Sequence, residues 1–368
     1  MRNKKQNIPW AKPIFWGKEK EYVNKALDST WISGGSFVNR LEDEVSDYFN
    51  CRHALSASNG TTAIHMAYLS VDLKPGDEVI LPGFGFLAAA NIAVQMGAKP
   101  IFAEVDPGTW CVNSYTIEKC VSKSTKLIVP VHTYGNVCPM DEIMDMARSY
   151  HIIVIEDTAE AFASRYNGKY AGCFGDIGTF SFQATKTITT GEGGMVVTND
   201  SRLYKKMALF QSHGMLRKTF YWHELPGNNF RLTNLQAALG CAQFEKIDKI
   251  IQERGRIHHQ YQYQLEDVDG ISLQRFEDKC EPVLWALAVK LDPSAFPQGR
   301  DKVMKTMQEE GVETRPGFYA PINFSHFERQ HLPICENISS HTISLPTYPT
   351  LTNEQIEFIC QTLIRCKM

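Results

Sequence analysis

The sequence predicts an α/β fold: a largely parallel sheet covered on both faces by helices, followed by a smaller α+β part. Three observations carry that expectation. Runs of β-formers alternate with stretches of helical periodicity up to Asn199, the order that builds βαβ units. Four β-formers in a row, Ile152 to Ile155, suit a strand buried on both faces. The 368 residues exceed what one hydrophobic core usually serves, so two domains are expected, 1–246 and 247–368.

Taken in order, Ile8 to Trp16 is extended, because Pro9 and Pro13 block a helix. Lys18 to Leu27 and Val38 to Phe49 read as helices on either side of the turn Trp31-Ile32-Ser33-Gly34-Gly35. Ser56 to Thr62 is a small polar cluster ahead of an apolar helix, Ala63 to Leu69. Glu78 to Leu81 is a strand ending at Pro82, and Gly83-Phe84-Gly85-Phe86 leads into a helix to about Met96. Ile101 to Val105 and Leu127 to Val131 are strands, the second ending at His132-Thr133-Tyr134-Gly135. Asp141 to Tyr150 is a helix. Strands Ile177 to Phe182 and Met195 to Thr198 flank the turn Thr190-Gly191-Glu192-Gly193-Gly194. Ser201 to Phe210 is helical. One long helix is expected past Thr233, through Phe244, Ile247 and Ile251 toward Tyr261, on i, i+3, i+4 apolar steps. Leu284 to Leu291 is strand-like, and Asp301 to Glu310 and Glu354 to Arg365 are helices.

Composition narrows the functional classes. Hydrophobic content of 43% with 21% charged residues is ordinary for a globular chain, and a net charge of −3 gives no reason to expect a nucleic-acid partner. No apolar run is long enough to span a bilayer, and Met1 to Lys5 leads into no signal-like segment. A cytoplasmic protein is therefore expected. Ten cysteines without a C-x-x-C pair suggest reduced, buried thiols and no metal site. His258 and His259, adjacent on a helix, point to different faces and are expected to be solvated.

Asp157 and Lys186 carry the chemistry. A carboxylate facing a pyridinium nitrogen and an amine able to form a Schiff base are what pyridoxal phosphate requires of a protein. Alone, Asp157 could cap a helix and Lys186 could be a surface lysine beside a hairpin. Together, after buried strands and before the glycine-rich turn, they point to that cofactor. Ser56 to Thr62 offers a helix N-terminus, whose unpaired amides and dipole suit a phosphate. A plain Ser/Thr/Asn cap explains the same residues about equally well.

These motifs, in this order, resemble the DegT/DnrJ/EryC1/StrS family of sugar aminotransferases. The segments are Glu156-Asp157-Thr158-Ala159-Glu160, Gly175-Asp176-Ile177-Gly178, Phe180-Ser181-Phe182, Lys186 and Gly191-Glu192-Gly193-Gly194. Asn229 to Ala238 matches N-Y-R-M-T-N-x-Q-A-A with Phe230 and Leu232 substituted, and Gly311 to Pro316 is similar to G-I-E-T-R-P. The likeness covers nearly the whole chain. It implies a fold-type I transferase with a seven-stranded, mostly parallel sheet, using pyridoxal phosphate and its pyridoxamine form. It implies that Lys186 holds the cofactor and moves protons, Asp157 meets the ring nitrogen, Glu160 the ring hydroxyl and Phe86 the ring face. By the same resemblance Gly60, Thr61 and Ser181 hold the phosphate, joined by Asn229 of a neighbouring subunit, so a homodimer with shared sites is implied. Trp31, Ser33, Glu313 and Arg315 then belong to the substrate cleft, and no metal is involved.

The substrates implied are a nucleotide-linked keto-sugar and L-glutamate, which leaves as 2-oxoglutarate. Lys186 to Met195 follows the lysine loop of perosamine-synthase-like members, which aminate C4 of a 4-keto-6-deoxyhexose. Members that aminate C3 carry K-N-L-G-x-x-G-D-G-G instead. Departures from the family at Gly83, Gly85, Gly317 and Asn323 bear on which sugar is bound. The alternatives are C3 amination, a deoxygenating relative (those carry histidine for the lysine), a pyridoxal enzyme of amino-acid metabolism and a non-catalytic regulator. No basic recognition helix supports the last.

Overall fold

Period-two alternation builds the sheet that positions the site. The computed structural model describes residues 7–216, 219 and 221–368, and the Met1–Lys5 stretch discussed above lies outside them. Four strands come first: β1 (His53–Ala57), β2 (Glu78–Pro82), β3 (Lys99–Ala103) and β4 (Thr125–Ile128). After β5 (Ile153–Asp157) comes a small hairpin, β6 (Arg165–Tyr166) and β7 (Lys169–Tyr170), and then β8 (Ile177–Ser181) and β9 (Gly194–Thr198). Seven of these form one sheet in the order β1-β9-β8-β5-β4-β2-β3. Only β9 runs against its neighbours; every other pairing is parallel. Successive residues face opposite layers. On β9, Met195 and Val197 enter one core and Val196 the other; on β1, Ala54 and Leu55 divide likewise.

Helices cover both faces. Before β1 run α1 (Glu19–Asp28) and α2 (Ser36–Phe49); between strands lie α3 (Gly60–Ser70), α4 (Ala88–Gln95), α5 (Ser114–Glu118) and α6 (Met140–Tyr150). After β9 come α7 (Ser201–Gln211), α8 (Asn234–Phe244) and α9 (Ile247–Leu265). The remaining chain adds β10 (Ile271–Leu273), β11 (Cys280–Glu281), β12 (Leu287–Leu291), α10 (Arg300–Glu309), β13 (Arg315–Pro316), α11 (Pro333–His341), β14 (Thr342–Leu345) and α12 (Asn353–Ile364). Here an antiparallel sheet, β10-β12-β14-β13, has its own core with α9, α10 and α12. Ile8 joins that core, with its backbone bonded to Gly311 and Glu313. No helix among the described residues is long and apolar enough to cross a membrane.

The structure departs from the sequence reading in several places, and α5, α11 and β14 are additions to it. The helix expected to run unbroken toward Tyr261 is two helices: Lys246 leaves helical geometry (φ −112°, ψ 12°) between α8 and α9. The apolar stripe continues across the break, so periodicity does not reveal it. Glu245 at the joint accepts from Tyr22 Oη at 2.5 Å and Arg40 Nη2 at 2.7 Å, contacts that fix where the chain turns. β1 was not anticipated, because His53-Ala54-Leu55-Ser56-Ala57 has no β-branched or aromatic residue. The strands expected at Ile101–Val105, Leu127–Val131 and Leu284–Leu291 are displaced or shorter at their ends. His258 is not solvated: it is half-buried against Phe276, and burial pushes its imidazole down to about 4.

Candidate active site

Strand register sorts the two adjacent carboxylates at the end of β5. Glu156 turns into the protein. It accepts the backbone N–H groups of Gly172 at 2.8 Å, and of Phe174 and Gly175 at 2.6 Å each. A fourth donor is His132 Nε2 at 2.9 Å; since His132 Nδ1 accepts the Cys138 N–H at 3.2 Å, the ring proton sits on Nε2. Four donors compensate the burial of this carboxylate, which pins the loop before β8. Asp157, one residue on, faces the opposite way into a cavity of about 730 Å³.

That cavity gathers most of the residues singled out in the sequence. Gly60, Thr61, Phe86, Asp157, Glu160, Ser181, Lys186 and Arg315 all line it. Glu313 stands just behind, paired with Arg315 at 2.5 Å and accepting the Trp10 N–H at 2.9 Å. Phe86 is 62% exposed, so it forms a wall of the cavity and not part of the core. Trp31 and Ser33 are exposed and outside the lining; the Trp31 carbonyl accepts from Asn234 Nδ2 at 2.7 Å. Asn229 also lies outside it, its Oδ1 taken by Arg231 Nε at 3.1 Å. Its loop nonetheless runs beside the start of α3, where the Phe230 carbonyl accepts the Ser58 N–H at 2.7 Å.

Four aromatic residues of the site were not assigned from sequence: Trp10, Tyr134, Trp285 and Phe318. Tyr134, Trp285 and Phe318 lie nearly parallel, with interplanar angles of 8° to 13°, and Trp10 meets Trp285 edge-on at 5.4 Å. Their sequence positions are far apart and carry no shared signal. Gly317, where the family has an aromatic, has no room for one: a Cβ there would lie 2.7 Å from Thr342 Cβ. The next residue, Phe318, brings the ring. A second cavity of about 390 Å³ continues past Phe86, Arg315 and Phe318, lined also by Asn91, Tyr319, Phe324 and His326.

Electrostatics follow from burial. Desolvation raises the Asp157 carboxyl above its ordinary value, opposed by the Ala159 N–H, Lys186 and His132. Glu160 is pushed up to about 7 by the same cause, opposed by Lys186 and by the Tyr134 N–H at 2.8 Å. The Lys186 amine is pushed down by burial against the pull of Glu160 and Asp157. Burial thus favours the neutral amine, the form with a lone pair, and the two carboxyls oppose it.

The arrangement fits pyridoxal phosphate. At one end, α3 opens with the capping box of Asn59 and Thr62. That leaves the Gly60 and Thr61 amides, which have no i−4 carbonyl, for an anion. Glycine is required there: a Cβ on residue 60 would lie 2.8 Å from Ser181 Cβ. At the other end Asp157 is placed for a ring nitrogen, with Lys186 in the same cavity.

A family model described as the DegT/DnrJ/EryC1/StrS aminotransferase family matches residues 15–364. The chain belongs to that family. It is a pyridoxal-phosphate-dependent aminotransferase. It is 40% identical over 361 residues to the GDP-perosamine synthase of Escherichia coli O157:H7, covering 97% of each chain. It is 38% identical over 362 residues to the protein of the same name from Caulobacter vibrioides, again covering 97% of each. Among solved structures, the aminotransferase PseC of Helicobacter pylori, involved in pseudoaminic acid biosynthesis, superimposes with a TM-score of 0.93. That pair is 25% identical and covers 98% of this chain and 99% of the other.

Proposed function

We propose that this enzyme transfers the amino group of L-glutamate to C4 of a nucleotide-linked 4-keto-6-deoxyhexose, giving the 4-amino sugar and 2-oxoglutarate. The observation that carries it is the near full-length likeness to two GDP-perosamine synthases, joined to a site whose cofactor residues converge on one cavity. The lysine loop from Lys186 to Met195 supports C4 over C3. The second cavity past Phe86 offers space beyond the cofactor for the nucleotide, and Arg315 stands at the junction to meet the diphosphate. The enzyme is read as a cytoplasmic homodimer, with 1–246 as arm and cofactor-binding domain and 247–368 as the smaller domain.

Pyridoxal phosphate, when bound, supplies a carbon that accepts amines and a ring that takes up the electron pair released at the substrate carbon. The protein's residues do the rest. Gly60, Thr61 and Ser181 anchor the phosphate, with Asn229 of the partner subunit. Asp157 presents a carboxylate to the ring nitrogen and keeps a proton on it. Glu160, held by the Tyr134 N–H, meets the ring hydroxyl. Lys186 would hold the cofactor by its side-chain amine, and that amine is the base placed to move a proton within the cavity. Held by these residues, the cofactor would supply the carrier on which the amino group of L-glutamate is kept for the sugar.

The test is to incubate the enzyme and L-glutamate with GDP-, dTDP- and UDP-linked 3-keto and 4-keto sugars and to locate the amine by NMR. Amination at C4 of a 4-keto-6-deoxy sugar is expected. Exclusive C3 product would overturn the regiochemistry, and no amino sugar from any of them would overturn the substrate class.

A further inference from the structure

Among the described residues, Arg254 is a buried cation with no carboxylate bonded to it. It sits on α9, 3% exposed, and donates only to backbone carbonyls: Leu284 at 2.8 Å, Trp285 at 3.0 Å and Lys186 at 3.5 Å. Its Nε has no partner among the described residues. Burial pushes the guanidinium down to about 10. Carbonyl dipoles offset only part of the cost of burying a charge, so packing alone gives little reason for an arginine here. Two of its three acceptors belong to Lys186 itself and to Trp285, the ring beside it. Trp285, whose carbonyl Arg254 holds, places its ring 3.7 Å from Lys186 Nζ and donates from Nε1 to the Thr185 carbonyl at 2.9 Å. Arg254 and Trp285 thus grip the Thr185–Lys186 backbone and the lysine side chain together.

The charges around the amine give this grip a chemical consequence. Asp157 and Glu160 face Lys186 from the end of β5, and the Trp285 ring offers its π face; all three favour an ammonium. Tyr134 and Arg315 line the same cavity. Arg254 is the cation directly behind the lysine loop and opposes the ammonium. An ammonium has no lone pair, so it can neither attack a carbonyl carbon nor accept a proton. We propose that Arg254 is the positioning residue for Lys186, acting through the lysine's own backbone and the Trp285 ring to hold a reactive amine at the cavity wall. The proposal rests on Lys186 being the cofactor lysine.

Reductive methylation of the cofactor-free protein across pH, read by mass spectrometry of the Lys186 peptide, gives the pH midpoint of that amine. Arg254→Lys keeps the charge; Arg254→Gln keeps an N–H donor without it. Arg254→Lys should hold the wild-type midpoint to within about 0.3 units. Arg254→Gln should raise it by about one unit, and the kcat of its holoenzyme at neutral pH should fall about tenfold with little change in the KM for L-glutamate. Equal midpoints in the two variants would reduce Arg254 to a structural role and overturn the proposal. Trp285→Phe leaves the buried charge alone while removing the bond to Thr185 and shrinking the ring that faces Lys186, so it tests the grip if Arg254→Gln does not fold. Its kcat should fall at least about threefold at unchanged KM, and wild-type kcat would contradict the grip. Borohydride trapping on another lysine would instead remove the underlying assignment of Lys186, an outcome separate from any midpoint measured on Lys186.

Discussion

At the residue scale the site depends on which carboxyl is charged. Asp157→Asn should still bind cofactor, since an amide can meet the ring nitrogen, but it supplies no anion to keep that nitrogen protonated. Turnover should fall at least about a hundredfold, each unit of lost proton affinity being worth about 1.4 kcal/mol; near-normal kcat would refute the role. Glu160 makes a pH prediction. Its folded-state value is raised from 4.5 to about 7, so the folded protein binds this proton more tightly than the unfolded chain. The associated stability is present below about pH 4.5 and is lost as pH rises through about 7. In urea unfolding of cofactor-free protein, Glu160→Gln should therefore gain on wild type between about pH 5 and pH 8, by on the order of 3 kcal/mol. A pH-independent difference would contradict it.

The elements explain what could be read in advance and what could not. β5 was legible because Ile152 to Ile155 leaves a strand little alternative, and the carboxylates at its end were visible with it. Which of them enters the cavity is set by pleat and register. Asp157 stands out by its chemistry, whereas three of the four donors on Glu156 come from a loop that the sequence does not place there, and the fourth is His132. The Glu156 cluster gives its own prediction. Glu156→Gln keeps one acceptor oxygen but turns an NH2 group toward two of the four donors, so it should destabilise the protein by about 3 kcal/mol or more. Thermal melts would show this with or without cofactor, whereas a cofactor-site residue would affect mainly the loaded form. The α8–α9 break was illegible because no glycine or proline marks it; Tyr22 and Arg40, both far away in sequence, determine it. Trp10, Trp285 and Phe318 were missed for the same reason, as aromatic residues with nothing local to separate them from the core.

At the scale of the whole molecule a seven-stranded, mostly parallel sheet was implied by resemblance, and Gly60, Thr61, Phe86, Asp157, Glu160, Ser181, Lys186 and Arg315 line one cavity. Asn229, Trp31 and Ser33 do not reach the cavity of their own chain. If a second copy supplies Asn229 to the neighbouring site, as proposed, that residue has a role in a dimer. Lys186→Ala and Asn229→Ala, each inactive alone, should on mixing and subunit exchange recover about a quarter of wild-type activity, because each hybrid dimer rebuilds one intact site. No recovery despite demonstrated exchange, or a fully active monomer by sedimentation, would contradict shared sites.

The central claim is that Lys186 holds the cofactor. Borohydride reduction of the holoenzyme, followed by proteolysis and mass spectrometry, tests it in one step. A single reduced pyridoxyl adduct is expected on the peptide containing Lys186, absent from Lys186→Ala. An adduct on any other lysine, or an undiminished adduct in Lys186→Ala, would contradict it.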